Sequence, residues 1–379
     1  MGKKAPGAYW TDEEIKRAID EWREKRPERL ASGDWRVEDV PFYEPGRPPR
    51  VDLWHRVEYL DEYDLTYGKK WGASGIGKLK EMAVIRPSEQ DFHIFEKQDP
   101  IFMRRPKLAN LEKWQREHDG LVQALRDEGI TVHYIEYPKP AIGPLGPIRG
   151  QWAGREVFVA WGGALVTRYG CWNPMNKGRE KVLTEWLVSQ GCPILQTVIG
   201  KGICETGTLY SFADDALVVG RGIAYNADGI EQIRPVLQRV GITTIVEGYM
   251  PGWIETLKWP IRGHYHPDEF FGVLDLGKVL IYPGSVDFEF IKWFRDRRFE
   301  IVEVDIDEHA KCLPANLILL QPGKVMMHAE AKETIKKVRK AGIEVIEISY
   351  IENLCMGGGI NCATMELVRE RGPKLEDIK

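Results

Sequence analysis

The chain has 379 residues, of which 43% are hydrophobic and 29% are charged. At about 100 to 200 residues per domain, this length allows two or three domains or one large one, and the composition excludes general disorder. The 53 basic and 57 acidic residues give a net charge of -4 without a long block of one sign. Duplex nucleic acid is therefore excluded as the main partner, because that affinity depends on neutralising many phosphates.

Cysteine content and hydropathy indicate the compartment. The six cysteines are too sparse for a disulfide scaffold, and no two of them form a CxxC pair. No segment approaches the roughly 18 continuous apolar residues that a membrane span needs. The amino terminus has no apolar stretch after its lysine pair and so does not resemble a signal peptide. We expect a cytoplasmic protein with free thiols and no membrane partner.

The first 80 residues differ from the rest of the chain. They begin with a helix capped at Thr11 and running to about Lys25, followed by a proline-rich stretch and an aromatic, acidic one. The glycine-rich run at 72–77 matches neither the Rossmann nor the Walker spacing and favours a flexible turn. We predict that residues 1–80 form an appendage wrapped on a catalytic body, residues 81–379.

One pattern occurs five times after residue 80: a short β-branched strand, a variable stretch, an amphipathic helix, a tight break and a second strand. The helix-to-strand joins are LRDEGITVHYI, LVSQGCPILQ, LQRVGITTIV, FRDRRFEIVEV and VRKAGIEVIEI. The breaks fall at Gly129, Gly191, Gly241 and Gly342, with Arg298 in the fourth copy. Glycine is expected where a helix ends in the left-handed conformation.

The opening strands of the copies are continuous apolar runs, as expected for strands buried on both faces. They are MAVIRP, REVFVAW, ALVVGR, KVLIYPG and ANLILLQPG. Such a unit cannot bury its apolar faces alone, so neighbouring copies must pack together. Five copies favour a ring, and the alternative is a doubly wound sheet.

Two carboxylates stand at the ends of apolar strands. Glu156 lies in REVFVAW, and Glu205 lies in ICETGTLY just ahead of the third strand. A carboxylate in such a setting is either exposed at a turn or buried for a functional reason. The alternative for each is an ordinary surface ion pair.

A histidine and aspartate cluster follows in RGHYHPDEFFGVLD. In an extended conformation, alternate residues share one face, which would place His264, His266 and Asp268 together. They could bind a metal, or His266 with Asp268 could transfer protons. A metal site needs a further ligand that no nearby motif supplies, and the remaining alternative is a surface histidine pair.

The strongest local signal is CMGGGINCATMELVRE near the end of the chain. Three consecutive glycines, Gly357 to Gly359, interrupt regular structure directly before Cys362. Such a run loses much backbone entropy on folding and is typical of a place where another group approaches the main chain closely. Cys362 is a candidate nucleophile, and the alternative is a small buried hydrophobic residue.

Together, these segments resemble the guanidine-modifying enzymes of the pentein fold, which include arginine deiminases, dimethylarginine dimethylaminohydrolases and amidinotransferases. The resemblance covers about residues 80 to 371. It implies a five-bladed α/β propeller of ββαβ-type repeats with pseudo-five-fold symmetry and an active site on the central axis.

The resemblance also implies the residue roles. GGGINCAT is similar to the glycine-rich cysteine motif of that family and would make Cys362 the nucleophile. In HPDEFFGVLD, His266 would be the acid and base and Asp268 a guanidinium-binding carboxylate. The segment from Glu205 to the Asn-x-x-Gly-Ile group resembles the family's EGGD segment, so that Glu205 would orient His266. Glu156 would take the place of a substrate-binding aspartate.

Several positions depart from the family pattern. Glu156 is one methylene longer than the usual aspartate, Thr206 and Thr208 replace a glycine and the aspartate of EGGD, and Asn361 replaces an arginine or histidine. These changes argue against arginine itself as the substrate. Asn361 and Trp152 complete the predicted substrate-binding set, and Trp152 belongs to a group of tryptophans that either line a flat pocket or pack in the core: Trp71, Trp152, Trp161 and Trp172.

The chemistry of these residues agrees with the resemblance. A guanidinium or amidine carbon is a poor electrophile, so attack needs a thiolate and carboxylates that hold the planar group in place. We expect a hydrolase that forms a covalent thioimidate on Cys362, needs no cofactor or metal, and forms a homo-oligomer. The substrate would be a guanidine, an amidine-like small molecule, or a planar heterocycle such as an aminoimidazole or nitroimidazole. The alternatives are an amidinotransferase and a non-catalytic pentein that binds a macromolecule.

Overall fold

The computed structural model describes residues 8–34, 36–91, 110–137, 142–143, 146–147, 153–154, 156–168, 177–250 and 266–378. The chain divides into two compact units, Met1–Lys70 and Trp71–Lys379. None of the helices in these ranges is long and apolar enough to cross a bilayer. The predicted boundary at residue 80, and the predicted wrapping of residues 1–80 on residues 81–379, stay predictions.

The first unit is helical. Its helices are α1 (Asp12–Ser32), α2 (Val51–Trp54) and α3 (Tyr59–Tyr67). A capping box joins Thr11 and Glu14 at the start of α1, as predicted, but the helix runs past Lys25 and ends at Gly33 with φ of 69°. The predicted end was wrong because Pro27 removes one hydrogen-bond donor without ending the helix. A small apolar core holds the unit together: Ile15, Ile19, Phe42 and Leu53.

The second unit contains five three-stranded sheets among its described residues, each with the same order. Two strands of each sheet are antiparallel, joined as a hairpin in four of the five, and a third strand lies parallel to the middle one. The bounds are β1 (Leu79–Val84), β2 (Thr131–Tyr134), β5 (Val157–Ala160), β6 (Gly163–Val166), β7 (Ile194–Thr197), β8 (Tyr210–Ala213), β9 (Ala216–Arg221), β10 (Thr244–Tyr249), β11 (Phe271–Asp275), β12 (Lys278–Ile281), β13 (Glu300–Glu303), β14 (Ile318–Gln321), β15 (Lys324–His328), β16 (Glu344–Ile348) and β17 (Thr364–Arg369), with a two-residue pair, β3 (Ile142–Gly143) and β4 (Gly146–Pro147), apart from them. This confirms a mixed α/β fold and excludes one doubly wound sheet across the described residues.

In the described part of the chain, a helix lies between the middle strand of each sheet and its parallel neighbour. The helices of this unit are α4 (Leu111–Asp127), α5 (Arg179–Ser189), α6 (Ala227–Arg239), α7 (Phe288–Asp296), α8 (Ile306–Cys312), α9 (Lys332–Lys340) and α10 (Ile351–Cys355). The four glycines predicted to end helices have φ between 78° and 93°, and Arg298 has φ of 61° in the fourth copy. Arg298 therefore adopts the left-handed conformation that glycine supplies elsewhere.

The copies contain one strand more than the repeated sequence pattern indicated. The runs starting at Met82, Ala216 and Lys278 fall on middle strands, whereas those starting at Arg155 and Ala315 fall on the first strands β5 and β14. The sequence pattern predicted one opening strand where the structure has two. Because both of these strands are apolar, the pattern did not show which of them it had identified.

The chain's last strand belongs to the first sheet. β17 pairs antiparallel with β1, from Thr364 opposite Val84 to Arg369 opposite Leu79. The strand that follows the glycine-rich cysteine motif is thus hydrogen-bonded to the first strand of the unit, about 280 residues earlier. This pairing fixes one end of the Cys362 segment.

The glycine-rich run at 72–77 is a buried turn and not a flexible linker. All of its residues are buried, and the Gly72 nitrogen donates to Leu367 O. A Cβ at Gly77 would overlap the main chain at Glu370. A Cβ at Gly72 or Gly75 would instead overlap Trp161, so each of the three glycines stands where a neighbouring group leaves no room for a side chain.

Candidate active site

The glycine-rich motif brings the Cys362 segment against two polar side chains. Gly357 has φ of 95°, and a Cβ at Gly359 would overlap Asn316 Oδ1 and lie 2.9 Å from His328 Nε2. Asn353 Nδ2 donates to the Gly358 and Gly359 carbonyls at 2.7 and 3.0 Å. The predicted close approach to the main chain is therefore present, and it is made by side chains of the protein itself.

The Cys362 thiol lies beside a buried carboxylate. It donates to Asp268 Oδ2 at 3.5 Å, and Asn316 Nδ2 donates to Cys362 Sγ at 3.3 Å and to the same Asp268 oxygen at 2.7 Å. Asn361 Nδ2 adds a hydrogen bond to Asp268 Oδ2 at 3.1 Å. Asp268 Oδ1 is buried and has no hydrogen-bond partner among the described residues. One oxygen of this carboxylate is thus held by neutral amides, while the other stays available as an acceptor.

His266 stands at the start of the turn that carries Asp268. Its backbone is extended, with φ of -135° and ψ of 148°, but Pro267–Glu269 forms a 3₁₀ turn. The predicted alternation along an extended chain was therefore wrong, and Asp268 reaches Cys362 through the turn. His266 Nε2 lies 2.5 Å from Glu205 Oε2, and the Tyr225 ring packs edge-on to the imidazole at 6.4 Å.

The Glu205 loop is anchored to helix α6. Asn226 caps this helix and accepts hydrogen bonds from Gly229 N at 2.9 Å and from Ile203 N at 2.8 Å. A Cβ at Gly229 would overlap the Ile203 carbonyl. The Asn-x-x-Gly-Ile group noted in the sequence therefore serves to dock the loop that holds Glu205.

The two threonines that depart from the family pattern have structural contacts. Thr206 Oγ1 donates to Glu156 O at 3.1 Å and to Leu165 O at 2.8 Å. Thr208 Oγ1 donates to Glu205 O at 2.8 Å and contacts the Tyr225 hydroxyl. The Thr206 hydroxyl connects the Glu205 loop to Glu156 and to β6, whereas the Thr208 hydroxyl connects the loop to Tyr225.

Glu156 is buried in an ion pair. Its Oε2 lies 3.3 Å from Arg179 Nη2, and both side chains are fully buried. Burial raises the pKa of the nearby Tyr137 to about 12, opposed by the positive charge of Arg179. From the sequence, the alternative for Glu156 was an ordinary surface ion pair. That alternative is wrong, because the ion pair with Arg179 is inside the protein.

Burial is common to the whole group. His266, Asp268, Glu205 and Glu156 are fully buried, and Cys362 is 2% exposed. Cys362 also belongs to an apolar cluster with Met82, Trp114 and Ile360, so its surroundings are polar on one side and apolar on the other. A cavity of about 60 Å³ is lined by Asn361, Tyr210, Glu366 and Arg369 among others, and Asn361 is the one predicted site residue in the described part of the chain that lines it. Thiol chemistry here would proceed away from bulk water.

A second cysteine next to Glu205 has a different environment. Burial raises the pKa of the Cys204 thiol, and the negative charge of Glu205 raises it further. Cys204 is therefore held as a thiol. All five cysteines in the described part of the chain are thiols.

The structure brings five of the predicted residues into two contacts: Cys362 with Asp268 and Asn361, and His266 with Glu205. Both contacts meet at the 266–269 turn. The predictions for Trp152, Trp172 and His264 lie outside the described residues. Trp71 and Trp161 are buried in the described part. Within that part, no group of three His, Cys, Asp or Glu residues could hold a metal ion.

Sequence reasoning missed three buried polar residues around these contacts. Asn316 precedes an apolar strand in ANLILL, and Arg179 begins helix α5. Glu269 Oε1 lies 3.9 Å from His266 Nδ1. A polar residue next to an otherwise apolar strand was a usable signal for Asn316, as it had been for Glu156. Arg179 carries no such signal because a basic residue at the start of a helix is common.

The fold has known counterparts. Dimethylarginine dimethylaminohydrolase from Pseudomonas aeruginosa matches with a TM-score of 0.57 and 19% identity, covering 76% of this chain and 99% of that one. The N-terminal domain of a cyanobacterial arginine dihydrolase matches with a TM-score of 0.60 and 18% identity, covering 76% and 96%. At these identities the likeness shows the fold alone.

The sequence comparisons go further. The arginine deiminase family model matches residues 264–369, which include His266, Asp268, Asn316 and Cys362. The 2-nitroimidazole nitrohydrolase of Mycobacterium sp. (strain JS330) is 31% identical over 385 residues, covering 94% of this chain and 98% of that protein. The chain belongs to the guanidine-modifying enzyme superfamily. Members of this superfamily that the chain matches are named as hydrolases of C–N bonds, and the recognised motifs coincide with the residues that meet in the structure.

Proposed function

We propose that this chain is a cysteine-dependent hydrolase that acts on a guanidine or amidine-like carbon. The observation that carries the proposal is the contact of the Cys362 thiol with Asp268 at 3.5 Å, held by the Asn316 amide. A thiol placed beside a carboxylate with an available buried oxygen can attack a planar carbon whose N–H group donates to that oxygen.

In the proposed reaction, Cys362 gives its thiol proton to His266, Sγ forms a bond to the planar carbon, and the bond from that carbon to the leaving nitrogen breaks. The nitrogen takes the electron pair and leaves as an amine after protonation by His266, or as nitrite when it is part of a nitro group, in which case His266 releases the proton to solvent. Water then adds to the thioimidate carbon, gives up a proton to His266, and displaces the thiol. Each carbon loses one C–N bond and gains one C–O bond, so no redox step is needed.

Each predicted residue has a role in this proposal. Glu205 holds the imidazole at 2.5 Å and fixes which nitrogen carries the proton. Asp268 accepts from a substrate N–H, and Asn361 holds the same carboxylate. Trp152 remains a proposed substrate contact, and Glu156 is proposed to line the pocket together with Arg179.

We also propose that the five similar sheets form a five-bladed propeller with the site on its axis. The shared strand order and the pairing of β17 with β1 support a closed ring. We further propose that the enzyme is cytoplasmic and that it forms a homo-oligomer.

The proposal favours hydrolysis over amidino transfer. The relative with 31% identity is named as a nitrohydrolase, a name that denotes cleavage by water. An amidinotransferase would need an amine acceptor. Product formation without any added amine supports the hydrolase, and dependence on an amine would favour the transferase.

The first test uses 2-nitroimidazole together with simple guanidines. We expect nitrite release from 2-nitroimidazole and a covalent adduct on Cys362 by mass spectrometry after rapid acid quenching. Cys362→Ala should lose both the adduct and turnover. Cys192→Ala is the matched control, because Cys192 is equally buried but belongs to a different apolar cluster. Unchanged turnover in Cys362→Ala would refute the proposal and favour a non-catalytic binding protein.

A further inference from the structure

We propose that Arg179 neutralises Glu156 and thereby makes the pocket select uncharged planar nitrogen heterocycles over guanidinium cations. This inference rests on the proposed function and adds the charge state of the substrate. The relevant observation is that the carboxylate at the position of a cation-binding residue already has a guanidinium against it, 3.3 Å away, in a fully buried pair.

The main chain of Glu156 is hydrogen-bonded to the loop that carries Glu205. The Glu156 carbonyl accepts from Thr167 N at 2.9 Å and from Thr206 Oγ1 at 3.1 Å. Thr206 directly follows Glu205, whose carboxylate holds His266. Glu156 is therefore connected to the His266 side of the site through one hydroxyl, and Arg179 is positioned by the first turn of α5.

A guanidinium substrate would compete with Arg179 for Glu156. Arginine always carries its charge and is suited to bind a carboxylate, so it makes the same interactions that a guanidinium substrate would make. A cation that displaced Arg179 would leave that side chain buried and without its carboxylate. Such a buried, uncompensated charge is strongly unfavourable.

An uncharged substrate meets no such opposition. The Glu156–Arg179 pair contributes no net charge, and the high pKa of Tyr137 keeps that hydroxyl neutral beside it. Asp268 Oδ1 remains as a buried acceptor close to the thiol, without a partner among the described residues. A planar ring with one N–H group can satisfy this oxygen without bringing a positive charge.

The chemical class that fits is a neutral five-membered nitrogen heterocycle with a leaving group on the carbon between two ring nitrogens. For such a ring the leaving group must depart with the bonding electron pair, as a nitro group does when it leaves as nitrite. The ring N–H would donate to Asp268, and Cys362 would attack the substituted carbon.

The test compares two rings of the same size and shape. 2-Aminoimidazole carries a positive charge at neutral pH, whereas imidazol-2-one is uncharged. Binding of each is measured by calorimetry in Cys362→Ala protein, which prevents turnover. We expect imidazol-2-one to bind at least about tenfold more tightly than the aminoimidazolium cation.

Removing the buried cation should change this preference. In Cys362→Ala protein that also carries Arg179→Met, Glu156 is released, and the preference for the neutral ring should fall by about tenfold or more. The triple variant with Glu156→Gln and Arg179→Met has no uncompensated charge, so it tests the pocket even if the single Arg179 change impairs folding. Its preference for the neutral ring should lie between that of Cys362→Ala protein and that of the protein with Cys362→Ala and Arg179→Met. Arg234→Met removes a cation from an ion pair with Glu247 elsewhere in the unit and should leave the preference unchanged.

Three outcomes would overturn the inference: equal or tighter binding of the cation in the parent protein, no binding of imidazol-2-one, or the same preference in all pocket variants. These outcomes are separate from failure of the proposed function. Turnover that survives Cys362→Ala would refute cysteine catalysis, while the binding ratio would still report the charge preference of the pocket.

Discussion

Asp268 and Glu156 are both fully buried carboxylates, but the protein surrounds them differently. Asp268 Oδ2 is held by the neutral amides of Asn316 and Asn361 and by a thiol. Glu156 is held by the positive charge of Arg179. Amide donors stabilise a carboxylate without cancelling its charge, whereas a guanidinium cancels it.

The difference separates two functions that a buried carboxylate can have. Asp268 Oδ1 has no hydrogen-bond partner among the described residues and lies on the carboxylate that contacts the Cys362 thiol. At Glu156 the charge is satisfied inside the protein by Arg179. Under the proposed function, the first carboxylate would bind the substrate, whereas the second would be held by the protein.

The largest expected effect concerns the carboxylate kept for the ligand. Asp268→Asn preserves the shape of the side chain but removes its charge and replaces one acceptor oxygen with a donor. We expect kcat/KM for 2-nitroimidazole to fall by about 10²- to 10³-fold. Nitrite release under initial-rate conditions measures the change.

The same substitution at a second aspartate, seven residues further along the chain, provides the control. Asp275→Asn changes a carboxylate at the end of β11, where Asp275 Oδ1 accepts from Leu276 N. We expect this variant to keep kcat/KM close to that of the unsubstituted protein. A loss in Asp275→Asn as large as that in Asp268→Asn would remove the distinction between the two carboxylates.

Much of the fold could be predicted because the repeat is written in local patterns. The helix-ending glycines and the apolar strands that follow them depend only on near neighbours in sequence. The pairing of β17 with β1 could not be found this way, because it joins residues about 280 positions apart. The course of helix α1 past Pro27 was missed because one lost hydrogen-bond donor does not end this helix, whose last turn is capped at Gly33.

Part of the candidate site could also be predicted from local sequence. Cys362, His266 and Glu205 stand in motifs with unusual residue content, so resemblance could identify them. The partners of the two buried carboxylates, Asn316 and Arg179, stand in ordinary segments. Their importance comes from contacts between distant segments, which sequence spacing does not encode. The role predicted for Glu156, a substrate-binding carboxylate in the place of an aspartate, was inferred without knowledge of Arg179 and stays a prediction.

The second largest effect tests whether charge holds the Glu156 region together. Arg179→Met leaves Glu156 buried without its cation, and we expect the free energy of unfolding to fall by about 3 to 5 kcal/mol. The double variant that combines Glu156→Gln with Arg179→Met removes both charges and should recover most of this loss. Urea unfolding followed by tryptophan fluorescence measures both. A double variant no more stable than the single one would mean that Arg179 acts through packing and not through charge.

A smaller effect is expected at the amide that holds the nucleophile. Asn316→Ala removes the donor to Asp268 and Cys362 and the acceptor for Asn361 N at 2.9 Å. We expect the rate of Cys362 alkylation by iodoacetamide to change by about tenfold and kcat/KM to fall by about 10- to 100-fold. Peptide mass spectrometry identifies the alkylated cysteine.

A helix-cap variant separates positioning from general loss of stability. Asn110 caps helix α4 by accepting from Lys113 N at 2.8 Å, and its loss should destabilise the protein by about 1 kcal/mol. Asn110→Ala should leave the alkylation rate of Cys362 unchanged. Equal changes in the two variants would argue that Asn316 affects the thiol only through stability.

The smallest effect comes from a third buried carboxylate, which has a weaker partner. Burial raises the pKa of Asp214 from 3.8 to about 6, although the Gly372 N–H and Arg371 oppose the shift. Arg371 lies 3.0 Å away but is half exposed, unlike Arg179. Because folded Asp214 holds its proton more tightly than the unfolded chain does, its contribution to stability is fully present below pH 3.8 and is lost as the pH rises through about 6.

Asp214→Asn removes this titration, so the wild type should lose stability relative to the variant between about pH 4 and pH 7. The expected change is about 1 to 2 kcal/mol, less than the pKa shift alone implies, because the half-exposed Arg371 places this site near the surface, where solvent reduces the cost of ionising Asp214. Urea unfolding at several pH values gives the difference. If both proteins have the same pH dependence, a half-exposed arginine compensates a buried carboxylate as well as Arg179 does, and full burial of the partner cannot be what distinguishes Glu156.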